Sequence, residues 1–291
     1  DLHVRSRRER QMCIRDRPII GVEVNNSKRW LELFFLPRFQ PIELLKPFTI
    51  ILLATVLSSE KNFHIYYKYF LSFIAILPIA LLLMIQPDIG QTLLVFLSWL
   101  TLVFISGISL LIFIIFFGLS FIILLYSIFF IPRFEYIRNR IDSFFNPTTG
   151  THGGQVEKAI DAISSGGFFG KGIGEGTLKN KVPDAHTDFI VSVISEEFGV
   201  VVIILLLIIF LFFIHNVFKR VYSEKNEKVK LILAGSITLI LVQTLIHLGV
   251  NISLFPTTGM TLPYLSYGGS SILGVSILSG IILNLTKRKV S

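Results

Sequence analysis

The charge-free apolar runs constrain this chain most. Leu110–Ile131 and Val200–Ile214 contain no charged residue, and each approaches the ~20 residues that carry a helix across a ~30 Å hydrocarbon core. Among the 291 residues, 52% are hydrophobic, 27 are Phe and only 16% are charged. A soluble chain devotes roughly a quarter of its residues to charge. The class is therefore an all-α polytopic membrane protein. About seven crossings are expected, near Leu44–Leu57, Tyr69–Ile85, Thr92–Ser106, Leu110–Ile131, Phe189–Phe218, Leu231–Val250 and Ser270–Leu285, with a large polar loop at about 133–188.

The formal charge of +8 does not describe a nucleic-acid binder, because lysine and arginine sit at the ends of apolar runs rather than along one face. Cys13 is the single cysteine, which excludes an intramolecular disulfide and a paired-cysteine metal site. Residues 1–17 hold Arg5, Arg7, Arg8, Arg10, Arg15 and Arg17 with no apolar stretch behind them, so they do not form a signal peptide. They read as a non-native basic leader, with residues 18–291 as one transmembrane domain. A basic cytoplasmic tail is the plainer alternative.

Positive charge orients the spans. Lys219–Lys230 carries Lys219, Arg220, Lys225, Lys228 and Lys230 against Glu224 and Glu227, and the C-terminal tail carries Lys287, Arg288 and Lys289. Both are expected inside, with Ser58–Lys68. Ile19–Glu43, Arg133–Asp188 and Asn251–Gly269 then fall outside. The polar segments thus gather on the external face.

Ionisable residues beside a span are costly and are functional candidates by default. In Arg29-Trp30 and Gln40-Pro41-Ile42-Glu43-Leu44-Leu45-Lys46, Glu43 and Lys46 are three apart on one helix face and can pair; a headgroup anchor with a satisfied ion pair is the plain reading. Gln86-Pro87-Asp88-Ile89-Gly90-Gln91 breaks two spans, and Asp88 either caps the next helix or lines a site. Gly166–Gly176 has six glycines in eleven positions; its backbone N–H groups could cradle a phosphate, or the run is a flexible loop. No Walker ending follows it. Pro183-Asp184-Ala185-His186-Thr187-Asp188-Phe189 leads into a span containing Glu196 and Glu197. Either Thr187 or Asp188 caps that helix, or Asp188 is a carboxylate whose pKa is tunable for general-base work. Glu196 and Glu197 are expected to face protein. The small and hydroxyl residues of Asn251–Ser271 suit close helix packing.

In combination, Pro183–Ile190, Glu196-Glu197-Phe198-Gly199 and Leu262-Pro263-Tyr264-Leu265-Ser266-Tyr267-Gly268-Gly269-Ser270-Ser271 resemble the SEDS family of RodA, FtsW and SpoVE proteins, from about Gly21 onward. Gly172–Gly176 and Thr258–Pro263 look more like its division-type (FtsW) branch than its elongation-type (RodA) branch. Family members typically cross the membrane ten times, so the resemblance implies that the first three crossings are missing here. It departs at Ile42, where the family usually has Ser, and at Asn26, where it usually has Gly.

The resemblance implies a peptidoglycan glycosyltransferase that polymerises lipid II into β-1,4-linked glycan, with inversion, at the outer face of the bacterial cytoplasmic membrane during division. Asp188 matches the family's essential acidic residue and is the expected catalytic base. Glu43, Lys46, Asp88, Arg29, Trp30, His186, Thr187, Ser266, Gly268 and Gly269 are expected at the substrate. Lys46, Arg29 or a divalent cation (Mg or Mn) would balance the departing pyrophosphate. The implied partners are lipid II, an undecaprenyl-pyrophosphate-linked glycan, a class B penicillin-binding transpeptidase and other division proteins; no nucleic acid is expected. A lipid II flippase is the alternative from another class, since charged residues in broken helices also serve translocation. Clustering of polar groups on one face favours the enzyme.

Overall fold

The structure is a computed structural model that describes residues 21–24, 27–33, 36–59, 65–86, 88–146 and 151–287. The basic leader and the Asn25–Asn26 pair lie outside them. Helices dominate: α1 (Pro41–Leu57), α2 (Ile65–Ile85), α3 (Ile89–Ile105), α4 (Leu110–Phe130), α5 (Glu135–Phe145), α6 (Thr151–Gly166), α7 (Ile190–Ser223), α8 (Glu227–Asn251) and α9 (Gly269–Thr286).

Each of the seven apolar runs is a helix. Five are long and apolar enough to cross a membrane, and α3 is a shorter apolar helix. The short α1 begins with Pro41 in its first turn, where a missing N–H costs nothing. Asn226 caps α8 by accepting from the N–H groups of Lys228 and Val229.

Burial divides the helices sharply. Every residue from Leu231 to Ile240 of α8 is buried, between α1, α3, α7 and α9. On α4, by contrast, Leu111, Ile114, Ile115 and Ile122 stand more than half exposed. That exposure is stable only where the surroundings are as apolar as leucine, as lipid is. An aromatic cluster joins α4 to the bundle: Trp99 of α3 lies 5.6 Å from Phe73 of α2 and 5.4 Å from Phe116 of α4. The Trp99 indole N–H donates to Ser72 Oγ at 3.0 Å.

Two segments expected on the external side, with no element assigned to them, are ordered. A three-stranded antiparallel sheet, β1 (Gly21–Val24), β2 (Ser27–Leu33) and β3 (Leu36–Phe39), precedes α1. Its Val, Leu and Phe content suits strands, but the run is too short to outweigh the helical majority. The 133–188 loop contains α5 and α6. On α6, Val156, Ala159 and Ala162 are buried at i, i+3 and i+6, against α7. Such amphipathic helices read as polar loop in a chain dominated by apolar spans, because their apolar stripe is thin.

Helix α7 is broken at Gly199 (φ 81°, ψ 174°). Its first part, Ile190–Phe198, begins beside the end of α8, and its second is the long lipid-facing run.

Candidate functional site

Two polar constellations draw on α8 at different heights. The first is buried among α1, α3, α8 and α9. Glu43 and Lys46, three apart on α1, form an ion pair of 2.7 Å with both side chains 3% exposed. The ion pair is made through Glu43 Oε2. Gln91 Nε2 donates to the other carboxylate oxygen at 2.7 Å, and Lys46 Nζ donates to Gln243 Oε1 at 3.1 Å. Gln243 Nε2 reaches the Thr261 carbonyl at 2.9 Å, and Thr261 Oγ1 meets Ser271 Oγ at 2.6 Å. Asp88 joins from the α3 end: Gln40 Nε2 donates to it at 3.2 Å, and its carboxylate accepts the Gln91 N–H at 3.3 Å as the α3 cap. The Glu43–Lys46 pair and Asp88, in separate motifs of the sequence, are thus one network.

The second constellation holds Asp188 by its backbone. Asp184 adopts φ 52°, and its carbonyl accepts the N–H groups of Thr187 (3.1 Å) and Asp188 (3.0 Å). Tyr267 N–H donates to the His186 carbonyl at 2.9 Å, and Ser266 Oγ to the Thr187 carbonyl at 2.7 Å. The buried Asn251 amide donates to the Asp188 carbonyl at 3.0 Å. Three consecutive carbonyls are therefore tied by three different residues, and the half-buried Asp188 side chain leaves a segment with little freedom. The α7 cap position belongs to Phe189, with no side-chain cap bond; the Thr187 hydroxyl donates instead to Asp184 O at 3.2 Å.

Among the described residues, the non-glycine residues with positive φ are Asp184, Ser253 and Tyr264. All three lie in segments that converge on Asp188. Strained backbone of this kind costs about 1–3 kcal/mol each and persists where the surroundings over-determine it. Burial pushes the Tyr264 phenol above its ordinary value, opposed by its bond to Ser279.

The two constellations share their supports. Helix α8 gives Gln243 to the first and Asn251 to the second, eight residues apart, about 12 Å of helix rise. The 252–268 segment gives Thr261 to one and Ser266 and Tyr267 to the other. Gly268 and Gly269 begin α9 behind Ser266. His186 enters through its carbonyl, with an exposed side chain. Trp30 is half-buried in β2; Arg29 precedes it, and its side chain lies outside the described set.

Gln91, Gln243, Asn251, Thr261 and Ser271 were not singled out as site residues. Gln243 carried a signal, since an amide in the middle of an apolar span is costly unless bonded. The reading of the glycine-rich run as a phosphate cradle is not supported. The N–H groups of Thr177 and Leu178 each donate to Glu196 Oε1 at 2.9 Å, and those of Lys171 and Gly172 go to the Glu196 and Glu197 carbonyls. The fully buried Glu196 is the anion in that cradle. No three His, Cys, Asp or Glu side chains gather to hold a metal ion among the described residues, so the chain's own described groups do not form a cation cage.

The family model of the FtsW, RodA and SpoVE cell cycle proteins matches residues 12–290. The chain is 34% identical over 284 residues to the "Probable peptidoglycan glycosyltransferase FtsW" of Caulobacter vibrioides, covering 94% of this chain and 68% of that protein. It is 36% identical to the protein of the same name from Buchnera aphidicola, covering 92% and 71%. A solved peptidoglycan synthase complex, described as coordinating polymerization and crosslinking, superposes with a TM-score of 0.76 at 29% identity, over 94% of this chain and 77% of that one. The crystal structure of Thermus thermophilus rod shape determining protein RodA gives 0.65 at 27%, over 93% and 73%.

Proposed function

Because the chain belongs to the FtsW/RodA/SpoVE family of cell cycle proteins, we propose that this multi-pass membrane protein is a peptidoglycan glycosyltransferase of the division type. The substrate is lipid II, used at the outer face of the bacterial cytoplasmic membrane, with a class B transpeptidase as partner. The FtsW relatives support the branch, and the synthase-complex neighbour supports a synthase partner. The observation that carries the mechanism is the triple backbone tie at His186, Thr187 and Asp188.

Asp188 is the general base. Its carboxylate takes the proton of the acceptor's 4-hydroxyl as that oxygen attacks the donor's anomeric carbon. The new C–O bond forms as the bond to the pyrophosphate oxygen breaks on the opposite side, which inverts the centre and releases undecaprenyl pyrophosphate. Aiming matters because a misplacement of about 1 Å can cost about 10²-fold. Asn251, Ser266 and the Tyr267 N–H do the aiming. Glu43, Lys46 and Asp88 are the substrate-binding group of this reading, with Lys46 held by Glu43 and Gln243.

The test is polymerisation of lipid II by the purified protein with its transpeptidase. Asp188→Asn keeps size and hydrogen bonding and removes the base, so glycan synthesis should fall by about 10²–10⁴-fold while the protein stays folded. Equal synthesis by both forms would sink the assignment and move the search to Asp88, Glu43 or Glu196.

A further inference from the structure

The glycine-rich run is not a loose loop, and its side chains point away from the protein. Phe168, Phe169 and Ile173 are 75%, 85% and 79% exposed. In a watery loop such exposure is unfavourable, yet the backbone beneath these residues is clamped. The Gly167 carbonyl accepts the Val200 N–H at 3.0 Å, the Phe168 carbonyl accepts the Val201 N–H at 3.3 Å, and the Gly172 N–H donates to the Glu197 carbonyl at 3.0 Å. The approach is so close that a Cβ on Gly170 would stand 2.2 Å from the Glu197 oxygen. The hairpin is therefore docked on the break in α7 at Gly199.

That docking point identifies what covers the rings. Val200 and Val201 open the charge-free run of α7, whose Ile204, Leu205 and Ile208 are half or more exposed, as lipid-facing residues are. The two exposed phenylalanines are carried beside the start of that run, because the Gly167 and Phe168 carbonyls are bonded to Val200 and Val201. Lys171, 3.5 Å from Glu196 and still 37% exposed, stands within the same run, where anionic headgroups would meet it. Aromatic side chains beside lysine are the composition of a membrane interface.

We propose that Gly166–Ile173 is a membrane-dipping hairpin, which places Phe168, Phe169 and Ile173 among the acyl chains of the leaflet on the Asp188 side. It ties the segment leading to Asp188 to a set depth. The inference rests on the lipid-facing surface of α7 and stands apart from the glycosyl-transfer reading.

The test is site-directed spin labelling of the protein in nanodiscs of phosphatidylethanolamine and phosphatidylglycerol, in a background from which other cysteines are removed. Phe169→Cys and Ile173→Cys are compared with Ile208→Cys on the lipid-facing run and Lys225→Cys in an exposed loop; all four positions are exposed, so folding is retained. Labels at 169 and 173 should collide with oxygen in preference to a water-soluble nickel chelate, as the label at 208 does. Preference for the nickel chelate, as at 225, would overturn the proposal and leave the hairpin in water. Protection from both reagents would overturn it too, and would assign the surface to a protein partner or a second copy.

Discussion

The Glu43–Lys46–Asp88 network and the Asp188 segment are built in opposite ways. The first is made by side chains holding side chains across α1, α3 and α8, with its charges buried. The second is made by side chains and one N–H holding backbone carbonyls, leaving the carboxylate of Asp188 half-buried. Charged groups in a low-dielectric interior need partners for each charge, and removing one partner strands the other. On the proposed reading of Asp188 as the base, what the segment must supply is a fixed position, and ties to three consecutive carbonyls supply it. One region is built for charge balance, the other for aim.

The sharpest way to break this comparison is Lys46→Met, which strands Glu43 and should cost about 3–5 kcal/mol. The double change Glu43→Leu with Lys46→Met should recover most of that loss in thermal melts of the full-length protein in detergent. Equal losses in single and double variants would show that the pair is not held by its charge.

Next in size is Asn251→Leu. It leaves the Asp188 carbonyl without its amide, at about 1–3 kcal/mol, and should lower glycan synthesis by about 10²-fold through misplacement. A wild-type rate from a destabilised Asn251→Leu protein would mean that backbone ties do not aim the carboxylate. Ser266→Ala, which removes the donor to Thr187 while that carbonyl stays near the surface, should cost about 1 kcal/mol and slow synthesis less than Asn251→Leu does. The reverse order of rates would move the chief support from α8 to the 252–268 segment.

The smallest effect is at Tyr264, whose phenol donates to or accepts from Ser279 Oγ at 2.7 Å. Burial raises its pKa in the folded protein, so the neutral form is favoured there. Its contribution to stability is present below the unfolded value of about 10 and is lost as pH rises through the folded value. Stability should therefore be indifferent to this group at neutral pH and fall in strong alkali, and Tyr264→Phe should remove that part of the alkaline loss. An ultraviolet tyrosinate titration that shows all tyrosines ionising together would contradict it.

Much of this was legible residue by residue. Leu110–Ile131 and Leu231–Val250 announced spans because charge is excluded from hydrocarbon, and the observed helices, Leu110–Phe130 and Glu227–Asn251, differ only at their ends. The α7 span ran on to Ser223, past the expected end at Phe218, since His215, Lys219 and Arg220 interrupt the apolar pattern without interrupting backbone hydrogen bonds. Asp188 stood out as a carboxylate beside a span, and Ser266 came only with the family resemblance. Asn251 and Gln243 did not, because an amide's role depends on which carbonyl or ammonium folding brings to it.

Hydrophobicity is a property of each residue summed along the chain, so the sequence by itself determined the membrane class, the helical spans and the family motifs. Which helix is central was not so determined: α8 and α4 are both apolar, yet one is enclosed and the other faces outward. The join of Lys46 to Gln243, 197 positions apart, and the use of Glu196 to fill the glycine-rich cradle were likewise decided only in the tertiary structure. Hydrogen bonds and ion pairs act over about 3 Å, and only packing settles which distant groups come that close.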